Sequence, residues 1–185
     1  MNSTTTRPYV LIDACAIIDI CKIGWWERII ACTEMAVPSY VVEEAEYYVG
    51  ADGWAELIDL EGAIEDGDLT VIASEQPVSE ILGQVFTQPV VRWTDPGEAE
   101  ALALIFSGQC EGYQFCSTDG AAIERLALMG KTESGISVES MLSECGFNLP
   151  GSADDKCREG FYQKHIQKGK QQRMRGDGFV IDPFD

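Results

Sequence analysis

The sequence predicts an α/β fold in which a mainly parallel central sheet carries helices on both faces. Short apolar runs suited to buried strands recur along the chain, at Tyr9–Asp13, Leu69–Ala73 and Tyr113–Thr118. Segments with helical spacing lie between them, and strands alternating with helices pack as parallel sheets covered on both sides. Two runs lead into a carboxylate, Asp13 and Asp119, at strand ends where open α/β sheets place their sites.

Taken in order, Tyr9-Val-Leu-Ile-Asp13 reads as a strand, followed by a helix over Ala16–Ile23 and a second helical piece over Trp25–Cys32. Met35–Pro38 is a short apolar segment stopped by proline. Ser39 suits an N-cap, with a helix from Val42 to about Tyr48. Leucine and isoleucine at 57, 58, 60 and 64 give Ala55–Ile64 a helical spacing. Leu69–Ala73 is a strand and Val78–Phe86 a helix. Asp95-Pro96-Gly97-Glu98 predicts a helix start: Asp95 caps, Pro96 takes the first position and Glu98 closes a capping box, the helix continuing through Ala99–Phe106. Tyr113–Thr118 is a strand, and Ala121–Met129 a helix closed by Gly130. A short strand near Ile136 and a helix over Val138–Cys145 complete the compact part. Residues 148–155 read as a linker.

The 185 residues suit one domain able to bury its own core. With 45% hydrophobic and 24% charged residues, the composition argues against global disorder, collagen or coiled coil. No apolar stretch approaches the roughly 18 residues of a membrane span, and no secretory signal is expected from the N-terminus. The net charge is −18, from 31 acidic against 13 basic residues, which opposes non-specific nucleic-acid binding by the body. The charge is uneven. Residues 1–155 hold 27 acids and six bases, whereas 156–175 hold seven bases, Lys156, Arg158, Lys164, Lys168, Lys170, Arg173 and Arg175, against Glu159 alone. Seven cysteines without a C-x-x-C pair point to buried thiols in a cytoplasmic protein, with Cys15, Cys21, Cys32 and Cys116 in apolar surroundings. His165 is the one histidine and reads as a solvated side chain.

Four acidic residues stand out by context. Asp13 follows a buried strand, Glu44 lies one helical turn after Val41, Glu98 is in the first turn of the Asp95 helix, and Asp119 ends Phe115-Cys-Ser-Thr-Asp119. A parallel sheet can bring these to one edge, where crowded carboxylates repel unless a cation neutralises them. All-oxygen ligation suits Mg²⁺ or Mn²⁺. Each residue also has a plainer role: Asp13 and Asp119 as helix caps, Glu98 as part of a capping box, Glu44 as a surface charge beside Glu43 and Glu46. Glu100 rivals Glu98, but two residues apart on a helix they point about 200° from each other.

Ile12-Asp13-Ala-Cys-Ala-Ile-Ile, Val37-Pro38-x-x-Val41-x-x-Glu44, Asp95-x-Gly97-Glu98-Ala99-Glu100-Ala101 and Ser117-Thr118-Asp119, followed by Ala122 and Ala127, resemble the ordered motifs of PIN domains, with VapC-type toxins the nearest kind. The resemblance spans residues 9–145. It implies a three-layer α/β/α fold and a ribonuclease that hydrolyses RNA phosphodiester bonds with Mg²⁺ or Mn²⁺ held by Asp13, Glu44, Glu98 and Asp119. Ser117 matches a hydroxyl residue able to hold an acid or a water. The chain departs from the family at Ala14 and Cys15, where hydroxyl or amide side chains are usual. On this reading residues 1–148 form the PIN-like nuclease domain and 149–185 a C-terminal extension with a basic arm. It further implies a toxin–antitoxin pair, with a cognate antitoxin as partner, and a homodimer is expected alongside.

The arm, with Phe161 and Tyr162, suits either RNA tracking by Lys164, Lys168, Lys170, Arg173 and Arg175 or folding against the acidic body. The four tryptophans, Trp25, Trp26, Trp54 and Trp93, with Tyr47 and Tyr48, read as core or dimer contacts. A catalytically inactive PIN-like protein- or RNA-binding module is the alternative function. A small-ester phosphohydrolase is a distant third, because Asp13 lacks an Asp-x-Asp partner and no Gly-rich phosphate loop occurs.

Overall fold

The structure is a computed structural model and describes residues 7–50 and 52–180. Five parallel strands form its central sheet: β1 (Tyr9–Ile12), β2 (Glu34–Pro38), β5 (Leu69–Ile72), β6 (Gln114–Cys116) and β7 (Gly135–Ile136). Their spatial order is β5-β2-β1-β6-β7. The chain therefore runs outward from β1 in one direction, then crosses to build the other side, which opens a crevice at the carboxyl ends of β1 and β6. Register is continuous there, with Leu11 beside Phe115 and Ile12 beside Cys116.

Strand alternation divides the core. Val10 and Ile12 face one side, with Ala16, Ile17 and Ile20 of α1 (Ala14–Lys22), Ile29 of α2 (Trp26–Ile30), and Met141 and Leu142 of α9 (Val138–Glu144). Leu11, Ala36 and Phe115 face the other, against Leu82 of α5 (Val78–Leu82), Leu102 and Leu104 of α7 (Pro96–Ser107), and Leu126 of α8 (Gly120–Leu128). The result is the expected three-layer α/β/α arrangement.

Several local expectations fail for identifiable reasons. Helix α3 (Ser39–Glu44) has Pro38 at its N-cap and Ser39 as its first residue, so Ser39 does not cap it, and it stops before Tyr48. Tyr47–Val49 (β3) and Ala55–Leu57 (β4) form an antiparallel hairpin, with Tyr47 opposite Leu57. Gly53, at φ 85°, allows its turn. The helical spacing of Leu57, Leu60 and Ile64 straddles Asp59, whose side chain caps α4 (Leu60–Glu65) by accepting from the Gly62 N–H at 2.8 Å. A short helix, α6 (Gln88–Arg92), lies where none was expected.

The basic stretch is a helix, α10 (Glu159–Arg175), laid along α8. Tyr162 and Ile166 pack on Ile123 and Ala127 in a satellite core. The Glu159 carboxylate accepts from the hydroxyls of Ser137 (2.5 Å) and Ser140 (2.8 Å), and its N–H donates to Glu139 (2.7 Å), tying α10 to the start of α9. Packing thus crosses the boundary expected after residue 148. Among the described residues no helix is long and apolar enough to cross a membrane. All seven cysteines are free thiols; Cys15 is exposed rather than set among apolar neighbours, because it lies on the outward first turn of α1.

Candidate functional site

The site is built from the loops that follow β1 and β6. The chain leaves β1 at Asp13, which is 5% exposed and caps α1 by accepting from the Ala16 N–H at 2.8 Å. Its second oxygen accepts from the Ser117 hydroxyl. Ser117 in turn accepts from the Asp119 N–H at 3.0 Å, so one buried hydroxyl links the carboxylate after β1 to the loop after β6. Asp119 caps α8, accepting from Ala121 (2.6 Å) and Ala122 (3.3 Å). Both aspartates therefore act as caps and also meet at the crevice. The polar neighbours missing at Ala14 and Cys15 are replaced by Ala16 N–H and Ser117, which fix Asp13 without them.

Glu98 joins this edge from the first turn of α7. It closes no capping box, and Asp95 makes no side-chain cap bond. Its carboxylate instead accepts from the Arg125 guanidinium at 2.5 Å, in an ion pair whose side chains are 10% and 16% exposed. Arg125 lies on α8, and a second guanidinium nitrogen donates to the Trp93 carbonyl at 3.2 Å. Glu44 stands apart: it accepts from the Gly97 N–H at 3.2 Å, against the first turn of α7. The structure thus brings Asp13, Ser117, Asp119 and Glu98 to one edge and leaves Glu44 on its rim.

The electrostatics match that crowding. Burial pushes the Asp13 carboxyl up from 3.8 to about 7, against the Ser117 and Ala16 hydrogen bonds, with Glu98 and Asp119 adding to the rise. Burial also lifts Glu98 to about 7 against the pull of Arg125, with Asp119 and Asp95 adding to it. Glu44 is raised by burial too, opposed by its Gly97 hydrogen bond. Three carboxylates share this edge with a single guanidinium, Arg125.

Glu100 has a different role. It is 3% exposed and accepts from the Ser39 hydroxyl at 2.8 and 2.9 Å, the Tyr40 N–H at 3.0 Å and the Ser74 N–H at 3.1 Å. It clamps α7 to the start of α3 and the loop leaving β5, and the near-opposite orientation of the two glutamates turns Glu98 to the crevice. Glu100→Ala leaves two backbone donors without their acceptor and is expected to cost about 2 kcal/mol. Urea denaturation measures it, and an unchanged midpoint would remove the clamp.

The donor set is all carboxylate and hydroxyl oxygen, the type Mg²⁺ and Mn²⁺ take, and its mutual repulsion is the kind a divalent cation relieves. Among the described residues no three His, Cys, Asp or Glu side chains are gathered into a ready-made metal cage. The residues fit a hard cation in donor chemistry and charge, with Arg125 now supplying the positive charge on Glu98.

Sequence reading missed Arg125 and misread His165, and the core alternative for the tryptophans holds only in part. Arg125 was one of six bases in the first 155 residues, and its place on an apolar helix was the available signal. Trp93 is 81% exposed and Trp54 75%, not core, although Trp26 is buried. His165 is not solvated: Nδ1 lies 2.6 Å from Glu124 Oε1, and the ring packs on Phe161 with centroids 4.3 Å apart. It also lies so close to Gly120 that a Cβ there would sit 2.4 Å from Cε1.

Among the proposed RNA contacts, Lys168 pairs with Glu124 at 3.2 Å and Arg173 donates to the Leu128 carbonyl at 2.8 Å, while Lys164, Lys170 and Arg175 are exposed. Comparison with protein-family models, curated proteins and solved structures gives no significant match.

Proposed function

We propose that the protein is a metal-dependent endoribonuclease of the PIN type, hydrolysing RNA phosphodiester bonds. The observation that carries this reading is the meeting of Asp13 and Asp119 at the carboxyl ends of β1 and β6, joined through Ser117 and flanked by Glu98. Asp13, Asp119 and Glu98 would hold Mg²⁺ or Mn²⁺, with Glu44 at the rim. When bound, such a cation lowers the pKa of its water and stabilises the leaving oxygen. The chain's own contribution is positional: Ser117 and the Ala16 N–H orient Asp13, the α8 N–H groups orient Asp119, and Arg125 holds Glu98 in place. A cognate antitoxin, a homodimer and a cytoplasmic setting belong to the same proposal.

Cleavage of single-stranded RNA under Mn²⁺ is the direct test. Asp13→Asn and Asp119→Asn are each expected to lose at least about 100-fold, beyond the loss typical of groups that only support metal ligands. If both variants cut every RNA that wild type cuts, at its rate, the site assignment is wrong. The Arg125–Glu98 ion pair favours a second reading, an inactive binding module in which the guanidinium replaces the metal. Millimolar Mn²⁺ separates the two: it raises the Tm of a nuclease by mass action and leaves that of the module unchanged.

A further inference from the structure

A pocket of about 380 Å³ opens beside the carboxylate edge, between α6, α8 and the end of α10. Its walls are apolar, from Pro89, Val90 and Leu128, while Glu124, Gln172 and Asp177 place polar groups around them. Volume and lining suit a small ring compound held by a few polar contacts. Glu124 is itself fixed by His165 at 2.6 Å and Lys168 at 3.2 Å, so this part of the lining is set in advance.

Trp93 also lines the pocket and is 81% exposed, an unusual amount of apolar surface to leave in water. Its backbone is not loose, because the Arg125 guanidinium holds its carbonyl at 3.2 Å. The same guanidinium holds Glu98, so pocket and carboxylate edge share a residue. Among the pocket's lining residues Arg125 is the cation, beside the acidic Glu124 and Asp177. Lys168, 3.2 Å from Glu124, offsets one of those carboxylates.

We infer that this pocket receives an unpaired base of single-stranded RNA next to the scissile phosphate, with Trp93 as its stacking face. The inference rests on the ribonuclease reading and adds to it the site of base recognition. An indole face stacks on any base, whatever its sequence. The exposed ring and the apolar walls are explained together by a flat nucleobase.

The test is fluorescence anisotropy with short, labelled single-stranded oligouridylate and oligoadenylate, in EDTA so that nothing is cut. Trp93→Ala is expected to weaken binding about tenfold, within the range of one stacked base, and Trp93→Phe to keep most of the affinity. Trp54→Ala, which removes the exposed ring on the β3–β4 hairpin, leaves affinity unchanged. The pocket assignment is overturned if Trp93→Ala binds like wild type, if a duplex RNA binds as tightly as the single strand, or if wild type binds neither oligonucleotide. Cleavage by wild type and Asp13→Asn under Mn²⁺ is scored separately. RNA binding that depends on Trp93 without any cleavage removes the nuclease reading alone; cleavage with no effect of Trp93 removes the pocket alone.

Discussion

Asp13→Asn is expected to stabilise the protein above pH 7 in the absence of metal, and, on the proposed ribonuclease reading, to lower cleavage at least about 100-fold. In the folded chain the Asp13 carboxyl is held at about 7 by burial, against 3.8 ordinarily. Between those values the folded state keeps a proton that the unfolded state has released, so stability falls as pH rises through the window. Above it the whole difference is lost, about 4 kcal/mol from the two values. Asparagine never ionises, and it keeps the cap to the Ala16 N–H. Its cost is the Ser117 hydroxyl proton, which loses its acceptor, about 1 kcal/mol.

The net gain at pH 8 is about 2–3 kcal/mol, or a Tm higher by about 5 °C or more for a chain of this size. Below pH 4 the order reverses, the variant being less stable by about 1 kcal/mol, that of the lost Ser117 hydrogen bond. Urea unfolding from pH 4 to 8 measures the difference. Because Glu98 and Asp119 both add to the rise at Asp13, the difference reports the whole carboxylate edge rather than one isolated group. Added Mn²⁺ is expected to reverse the order, stabilising wild type increasingly from pH 6 to 8 and the variant not at all. A variant no more stable than wild type at pH 8 would show that Asp13 carries its charge without strain.

What the sequence made legible follows the range of the interactions. Asp13 and Asp119 could be found because an apolar run of three or four residues leading into a charge marks a strand leaving the core, and both also cap the next helix. The start of α7 could be placed from Asp95 and Pro96, yet the partner of Glu98 could not. A capping box is a contact within one turn, whereas Arg125 reaches Glu98 from another helix, 27 residues on. The β3–β4 hairpin was hidden by side chains whose spacing runs through the Asp59 cap. His165 was misread for the reason that Arg125 was missed: its surroundings depend on which helix lies beside which. Nothing local to residue 165 says that it meets Gly120. Ser117 was visible only as a hydroxyl two residues before a carboxylate; its bridge to Asp13 exists because β6 pairs with β1 rather than with β5.

Valine at position 169 is expected to detach the C-terminal helix. Gly169 is buried in the middle of α10, where glycine costs about 1 kcal/mol relative to alanine. That cost is repaid by close approach to α8: a Cβ at this position would lie 2.2 Å from the Glu124 carbonyl oxygen and 2.7 Å from the Ala127 Cβ. Backbone cannot yield as a flexible side chain can, so the helices must separate. Overpacking of this kind costs about 3 kcal/mol or more at the severe end. Gly160, with no atom within 4 Å of its Cβ position, provides the control, and Gly160→Ala is expected to be neutral or slightly stabilising. Trypsin reads the difference directly, because Lys164, Lys168, Lys170, Arg173 and Arg175 are cut once α10 opens. Equal trypsin rates and equal urea midpoints for wild type and Gly169→Val would show that close packing at 169 is not what holds the helix. Detachment also carries His165 away from Gly120 and Gln172 away from the Trp93 pocket. On the proposed RNA-binding reading, affinity for RNA should therefore fall in Gly169→Val although every basic side chain is still present. Affinity that survived detachment would mean the bases act as a free arm, with their place on α8 irrelevant to binding.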